Sequence, residues 1–237
     1  MKCAKEYMRL YAVTDRAWLG EHTLAMQVEE ALKGGVTCVQ LREKELDDEA
    51  LLQEAFVIKA LCHQYHVPFF INDDVQVAIR CKADGIHVGQ HDMEVADVRK
   101  MIGENMMLGV SAQTVAQAIK AEKNGADCLG VGAVFPTSTK RDADEVNAET
   151  LKAICNAVSI PVVAIGGINK QNMMRLCGSG VDGVALVSAI FSSTKIEAEC
   201  RELRLIVEEM ANSRTAGAPM EKSIFQKTER IQSNPSW

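Results

Sequence analysis

Two aspartates, an arginine, two lysines and a serine stand just past short apolar runs, where a strand would hand over to a loop. Asp73 follows Phe69-Phe70-Ile71, and Asp92 follows Ile86-His87-Val88-Gly89. Carboxylates at adjacent parallel strand ends, about 4.8 Å apart, can reach one ion. Two carboxylates completed by phosphate oxygens and waters suit Mg²⁺, which gives up its hydration reluctantly. Asp73 or Asp74 is also expected to cap the helix that follows. Arg42 and Lys44 leave the second run with alternate spacing and so share a face. Lys140 leaves the sixth run within Thr137-Ser138-Thr139-Lys140, and Ser111 closes the fifth. Arginine grips phosphate in a planar fork and lysine acts as a point charge. The set reads as a Mg²⁺–pyrophosphate site, with Ser111 donating to a phosphate oxygen.

A second anion site of a different kind is expected at Gly166-Gly167 and Val187-Ser188, which end the seventh and eighth runs. Parallel barrels bind phosphomonoesters there through backbone N–H groups and a helix N-terminus. Neither His87 nor His91 is read as having a partner at metal-ligand spacing. His87 is read as a structural strand residue and His91 as an exposed loop residue. His63 and His66 suit the dipole of a helix end.

The elements that must carry these residues alternate throughout. Eight short apolar runs each end in polar residues or glycine, and a helix-like stretch follows each one. The runs are 10–13, 38–39, 69–71, 86–89, 108–110, 131–135, 162–165 and 184–187. Helical spacing covers 23–33, a long stretch opened by Asp47-Asp48, then 115–123, 148–158, 171–176 and 196–210. A weak repeat precedes the even-numbered strands: Gly34-Gly35-Val36-Thr37, Ala83-Asp84-Gly85, Gly125-Ala126-Asp127 and Gly180-Val181-Asp182. Strands apolar on both faces must be covered on both sides. The expected fold is α/β, a single-domain (β/α)8 TIM barrel over 1–211 with a polar C-terminal tail over 212–237. A doubly wound sheet is the runner-up, but its G-x-G-x-x-G turn is missing.

Bulk properties narrow the function classes. The chain has 237 residues, 47% hydrophobic and 24% charged, with a net charge of −6. That balance favours neither nucleic acid nor an anionic membrane as partner. No apolar run approaches the ~20 residues that span a bilayer. A basic segment followed by an apolar one is missing at the start, so a cytoplasmic protein is expected. The eight cysteines form no CxxC pair and are read as reduced, buried small hydrophobes. A homo-oligomer is left open.

Six segments, in order and with compatible spacing, carry a family likeness. They are Gln40-Leu41-Arg42-Glu43-Lys44, Ile71-Asn72-Asp73-Asp74, His87-Val88-Gly89-Gln90-His91-Asp92, Gly109-Val110-Ser111, Pro136-Thr137-Ser138-Thr139-Lys140 and Ala164-Ile165-Gly166-Gly167-Ile168. From about Tyr11 to Ile190 the chain resembles thiamine-phosphate synthase. The resemblance implies two small phosphorylated substrates: 4-amino-2-methyl-5-pyrimidinylmethyl diphosphate, and a thiazole phosphate or its carboxylated tautomer. It assigns Gln40, Arg42, Lys44, Asn72, Ser111 and Lys140 to the pyrimidine diphosphate, and the intervening Leu41 and Glu43 to substrate binding. It assigns Thr137, Ser138, Thr139, Gly167, Val187 and Ser188 to the thiazole phosphate, and Asp73 and Asp92 to Mg²⁺. The implied reaction breaks the methylene–oxygen bond to give a pyrimidine-stabilised carbocation, which the thiazole nitrogen captures. Catalysis is expected from Arg42, Lys44, Ser111 and Lys140. The alternatives are a thiazole tautomerase-like barrel, which would not need the Asp73, Asp92 and Lys140 set, and a non-catalytic phosphate-binding regulatory barrel.

Overall fold

The computed structural model describes residues 3–90, 92–137 and 145–213. His91, Ser138, Thr139, Lys140 and the expected tail from 214 onward lie outside the described residues. Eight parallel strands close into a barrel in sequence order, with β1 pairing both β2 and β8. They are β1 Leu10–Val13, β2 Cys38–Leu41, β3 Phe69–Asn72, β4 Gly85–Val88, β5 Met107–Ala112, β6 Cys128–Val131, β7 Val162–Ile165 and β8 Gly183–Leu186. The helices are α1 Leu24–Lys33, α2 Asp48–Gln64, α3 Val75–Cys81, α4 Val95–Ile102, α5 Val115–Lys123, α6 Ala148–Ala157, α7 Ser188–Phe191 and α8 Ile196–Asn212. The expected (β/α)8 architecture is present.

Side chains alternate across each strand and build two separate cores. Leu10, Ala12, Val39, Leu41, Phe69, Ile71 and their counterparts pack outward against the helices. Tyr11, Val13, Cys38, Phe70, Met107, Cys128, Val163 and Ala185 fill the barrel interior, with Met8 from below. The helices start where the sequence supplies caps. Thr23, Asp47, Asp74, Thr114 and Asn147 each accept a backbone N–H from the first turn of the helix they open. Each such cap is worth about 1 kcal/mol.

The weak repeat has a structural meaning. At the floor of the barrel Asp84 accepts from Phe69 N, Asp127 from Leu108 N and Asp182 from Val162 N, at 2.8–2.9 Å. Thr37 Oγ1 accepts from Leu10 N at 2.8 Å in the same way. Each clasp joins the start of an odd strand to the residue entering the following even strand. A residue of positive φ lies two positions before each: Gly35, Lys82, Gly125 and Gly180. Glycine adopts that conformation freely; Lys82 holds it without that freedom.

Two expectations are corrected. The 171–176 stretch forms a 3₁₀ turn, Met173–Leu176, instead of an α-helix. The Asn169 side chain accepts from Gln171 N, and Asn172 accepts from Asn169 N, so side chains compete with the helical ladder. The sixth strand is Cys128–Val131, earlier than the apolar run 131–135 suggested. Val134 N and Phe135 N donate to Ile165 O and Gly166 O, and so draw that run over the end of β7.

Candidate active site

Inward positions near the strand C-termini line a cavity of about 330 Å³ that reaches from the barrel mouth down to Met8. Its polar lining is Gln40 from β2 and Arg42 just past it, Asn72 from β3, His87 and Gln90 around β4, Ser111 and Gln113 around β5, and Thr137 and Ser188 at the rim. Gly166, Gly167 and Val187 complete the wall on the β7–β8 side. A cavity of this size, mostly apolar with a few convergent polar groups, suits a small organic ligand.

The second strand places its side chains by alternation. Gln40 points inward and its amide nitrogen donates to Tyr11 Oη at 2.9 Å. Burial pushes the Tyr11 phenol well above its ordinary pKa, so the hydroxyl stays neutral. Leu41 points the other way, into the helix-facing core. Arg42 comes inward again. The hydroxyl of Thr14, itself buried, accepts from Arg42 N at 3.0 Å and donates to Arg42 O at 3.2 Å. Glu43 turns away and pairs with Arg16, which also pairs with Glu54 of α2. Burial pushes the Glu43 carboxyl up. Backbone N–H groups of Glu45 and Lys44, with Arg16, outweigh that and hold it below the usual range. The run 40–44 is therefore not one contact surface. Gln40 and Arg42 reach the cavity, whereas Leu41 and Glu43 anchor the strand that carries them.

The acidic residues stand at the ends of β3 and β4, which are paired neighbours. Asp74, not Asp73, caps α3. Asp73 adopts φ 62° with its N–H donating to His87 O at 2.8 Å, which pins it against β4. Lys44 Nζ lies 2.6 Å from Asp73 Oδ2. Asp92 Oδ2 accepts from Gly89 N at 2.7 Å. Hard carboxylate oxygens past two adjacent strand ends, one of them paired with Lys44, fit Mg²⁺ bound together with an anionic ligand. Among the described residues no cluster of three or more His, Cys, Asp or Glu side chains could hold a metal. Any ion at this donor set must draw the rest of its shell from ligand and water.

On the other side of the mouth the chain opens its backbone. Gly166 and Gly167 adopt φ 98° and 65°. A Cβ on Gly167 would sit 2.3 Å from Pro136 O, so this turn closes against the β6 loop only as glycine. Asn172 Nδ2 holds Gly167 O at 2.8 Å. Ser188 opens α7 immediately after β8.

The chain matches the family model described as thiamine monophosphate synthase over residues 10–190. The chain belongs to this family. It is 48% identical over 194 residues to the thiamine-phosphate synthase of Clostridium tetani, covering 82% of this chain and 93% of that protein. It is 48% identical over 203 residues to that of Ruminiclostridium cellulolyticum, covering 86% and 96%. Among solved structures, a thiamine phosphate pyrophosphorylase from Pyrococcus furiosus superposes with a TM-score of 0.81 at 38% identity, covering 87% of this chain and 98% of that one. Family membership makes this chain a transferase of thiamine biosynthesis.

Of the residues expected at a thiamine-phosphate synthase site, the cavity collects Gln40, Arg42, Asn72, Ser111, Thr137, Gly167, Val187 and Ser188. Lys44, Asp73 and Asp92 are at the β2, β3 and β4 ends of the same barrel face. Ser138, Thr139 and Lys140 lie outside the described residues. Sequence reasoning passed over Thr14, Arg16 and His87. The first two act on the main chain or on an ion pair and carry no motif. His87 was read as a strand filler, but it faces the cavity with Nε2 3.1 Å from Ser111 Oγ. Its inward register, two residues past Gly85 on a strand neighbouring β5, was the available signal.

The cysteines carry no visible chemistry. All eight are free, and Cys38, Cys62, Cys81, Cys128 and Cys200 are buried. Burial pushes the thiols of Cys62 and Cys200 up to about 12, far from the reactive range. No helix among the described residues is long and apolar enough to cross a membrane.

Proposed function

We propose that the chain joins 4-amino-2-methyl-5-pyrimidinylmethyl diphosphate to a thiazole phosphate, releasing thiamine phosphate and pyrophosphate in the cytoplasm. The observation that carries this reading is convergence. Cationic Arg42 and Lys44, carboxylates Asp73 and Asp92, and the glycine turn at Gly166-Gly167 share the C-terminal face of one barrel. This is the face on which such barrels perform chemistry.

The bond between the methylene carbon and the bridging oxygen breaks, and its electron pair leaves with the diphosphate. The aminopyrimidine ring delocalises the resulting cation, and the lone pair of the thiazole nitrogen forms the new carbon–nitrogen bond. No protein nucleophile is required. Arg42, held in place through its backbone by Thr14, stabilises charge on the departing diphosphate. Lys44 and Ser111 do the same, with Lys140 assigned to that role by its motif position. Asp73 and Asp92 would hold Mg²⁺, which supplies charge neutralisation to the diphosphate when bound. The inner wall of Gln40, Tyr11 and Val163 receives the pyrimidine, and the backbone at Gly167 and Ser188 receives the thiazole phosphate.

Purified protein incubated with both substrates is expected to form thiamine phosphate and pyrophosphate. EDTA is expected to abolish turnover by at least about 100-fold, and excess Mg²⁺ to restore it. Thiazole isomerisation without pyrophosphate release, or binding of both substrates without product, would overturn the reading.

A further inference from the structure

Two strands of the barrel leave room for the imidazole of His87. A Cβ on Gly109 of β5 would lie 2.5 Å from His87 Nδ1, and one on Gly130 of β6 would lie 3.0 Å from His87 Cε1. Two adjacent strands therefore present bare backbone where the ring rests, and any side chain there would displace it. The ring is held with Nε2 3.1 Å from Ser111 Oγ. Ser111 is also fixed from the main chain, since the Gln90 amide donates to its carbonyl at 2.6 Å.

A hydroxyl has one hydrogen to give and two lone pairs. Phosphate oxygens, and the ring nitrogens of a pyrimidine, only accept. If Ser111 gave its hydrogen to His87, it would turn lone pairs toward an acceptor and repel it. We propose that His87 is a positioning residue that donates from Nε2–H to Ser111 Oγ, so that the single hydroxyl hydrogen of Ser111 points at the diphosphate-bearing substrate. This rests on the function proposed above, in which Ser111 meets that substrate. The neutral ring then carries its proton on Nε2. The glycine slot prevents the ring from turning out of line, and the serine becomes an oriented donor.

The test combines spectroscopy with a double-mutant cycle. In the full-length protein, imidazole ¹⁵N shifts of His87 are expected to show Nε2 protonated, and a neutral ring with bare Nε2 would overturn the proposal whatever reaction is catalysed. His87→Phe keeps a flat ring for the slot and removes the donor. It is expected to lower kcat by about 10-fold or more. His87→Gln, which can place an amide N–H near the Nε2 position, is expected to recover most of that loss. In a Ser111→Ala background, His87→Phe should cost less than about 2-fold. An equal penalty with and without the serine hydroxyl, or wild-type kcat in His87→Phe, would overturn the proposal. If the phenylalanine variant fails to fold, the cycle is run with His87→Asn, whose amide is too short to reach Ser111. Wild-type protein that makes no thiamine phosphate would defeat the function, and the ¹⁵N result would still decide the His87 geometry.

Discussion

Arg42 has its backbone N–H and C=O both bonded to a single buried hydroxyl, that of Thr14, which leaves the guanidinium as the adjustable part of the residue. Its ion pair with Asp15 is loose, at 3.8 Å, so the charge is available to an anion at the mouth. Arg42→Ala is expected to reduce kcat by about 100-fold with little change in Tm, since a preorganised donor is lost and no core contact is; steady-state assays beside thermal melts check this. Gly167 behaves differently. Gly167→Ala forces a Cβ to within 2.3 Å of Pro136 O at φ 65°. It should destabilise the protein by about 1–3 kcal/mol and raise KM for the thiazole phosphate while leaving KM for the pyrimidine diphosphate near normal. A variant whose two KM values move together would place the glycine elsewhere in the reaction. The motif residues Arg42, Ser111 and Gly167 were legible because charge, hydroxyl and missing side chain are visible in a sequence. Thr14 was not, because a main-chain clamp can be made by any small hydroxyl residue and has no spacing of its own.

The strands decide which motif residues reach the cavity. Gln40, Leu41, Arg42 and Glu43 are consecutive, yet Gln40 and Arg42 line the cavity while Leu41 enters the helix-facing core and Glu43 pairs with Arg16. The sequence showed the alternation, but register requires knowing where β2 begins, and that is set by pairing with Tyr11 and Phe69. The same ambiguity shifted β6, because the run 131–135 stays apolar after the ladder has ended. At the opposite end, the clasp residues repeat with the strands. Asp127 accepts from Leu108 N and also pairs with Arg99. Asp127→Ala should cost about 1–3 kcal/mol, chiefly by stranding Leu108 N, since Arg99 keeps its bonds to the carbonyls of Gly103, Met106 and Gly125, and should leave KM for both substrates unchanged. Denaturant unfolding and kinetics on the same sample separate the two effects, and a changed KM would show that floor and mouth are coupled.

Across the molecule, the site and the stabilising network occupy opposite ends of one barrel, so conditions can act on them separately. Glu122, near the end of α5, accepts from Ser159 Oγ at 2.6 Å and from Ser159 N at 2.8 Å, ahead of β7. The Ser159 hydroxyl bond is the chief cause of its lowered pKa. A carboxyl that titrates lower when folded stabilises above its unfolded pKa, and that stabilisation is lost as pH falls through the folded value. Glu122→Gln should therefore lower Tm by about 2 °C at pH 7, and the gap should shrink as the pH falls below the usual carboxyl range. A pH-independent gap in calorimetry would assign the effect to packing. The overall architecture was legible because βα alternation is written in local patterns. The meeting of distant residues across eight strand ends follows from ring closure, which no local pattern encodes.

The four clasps bind strands in the order first to second, third to fourth, fifth to sixth and seventh to eighth. The ring is thus assembled from quarters, each tied within itself by a side chain and to its neighbours by ladder hydrogen bonds. A circular permutant reopened between quarters would keep every tie short-range. One reopened inside a quarter would turn that tie into a contact between opposite chain ends, and would fold more slowly for it.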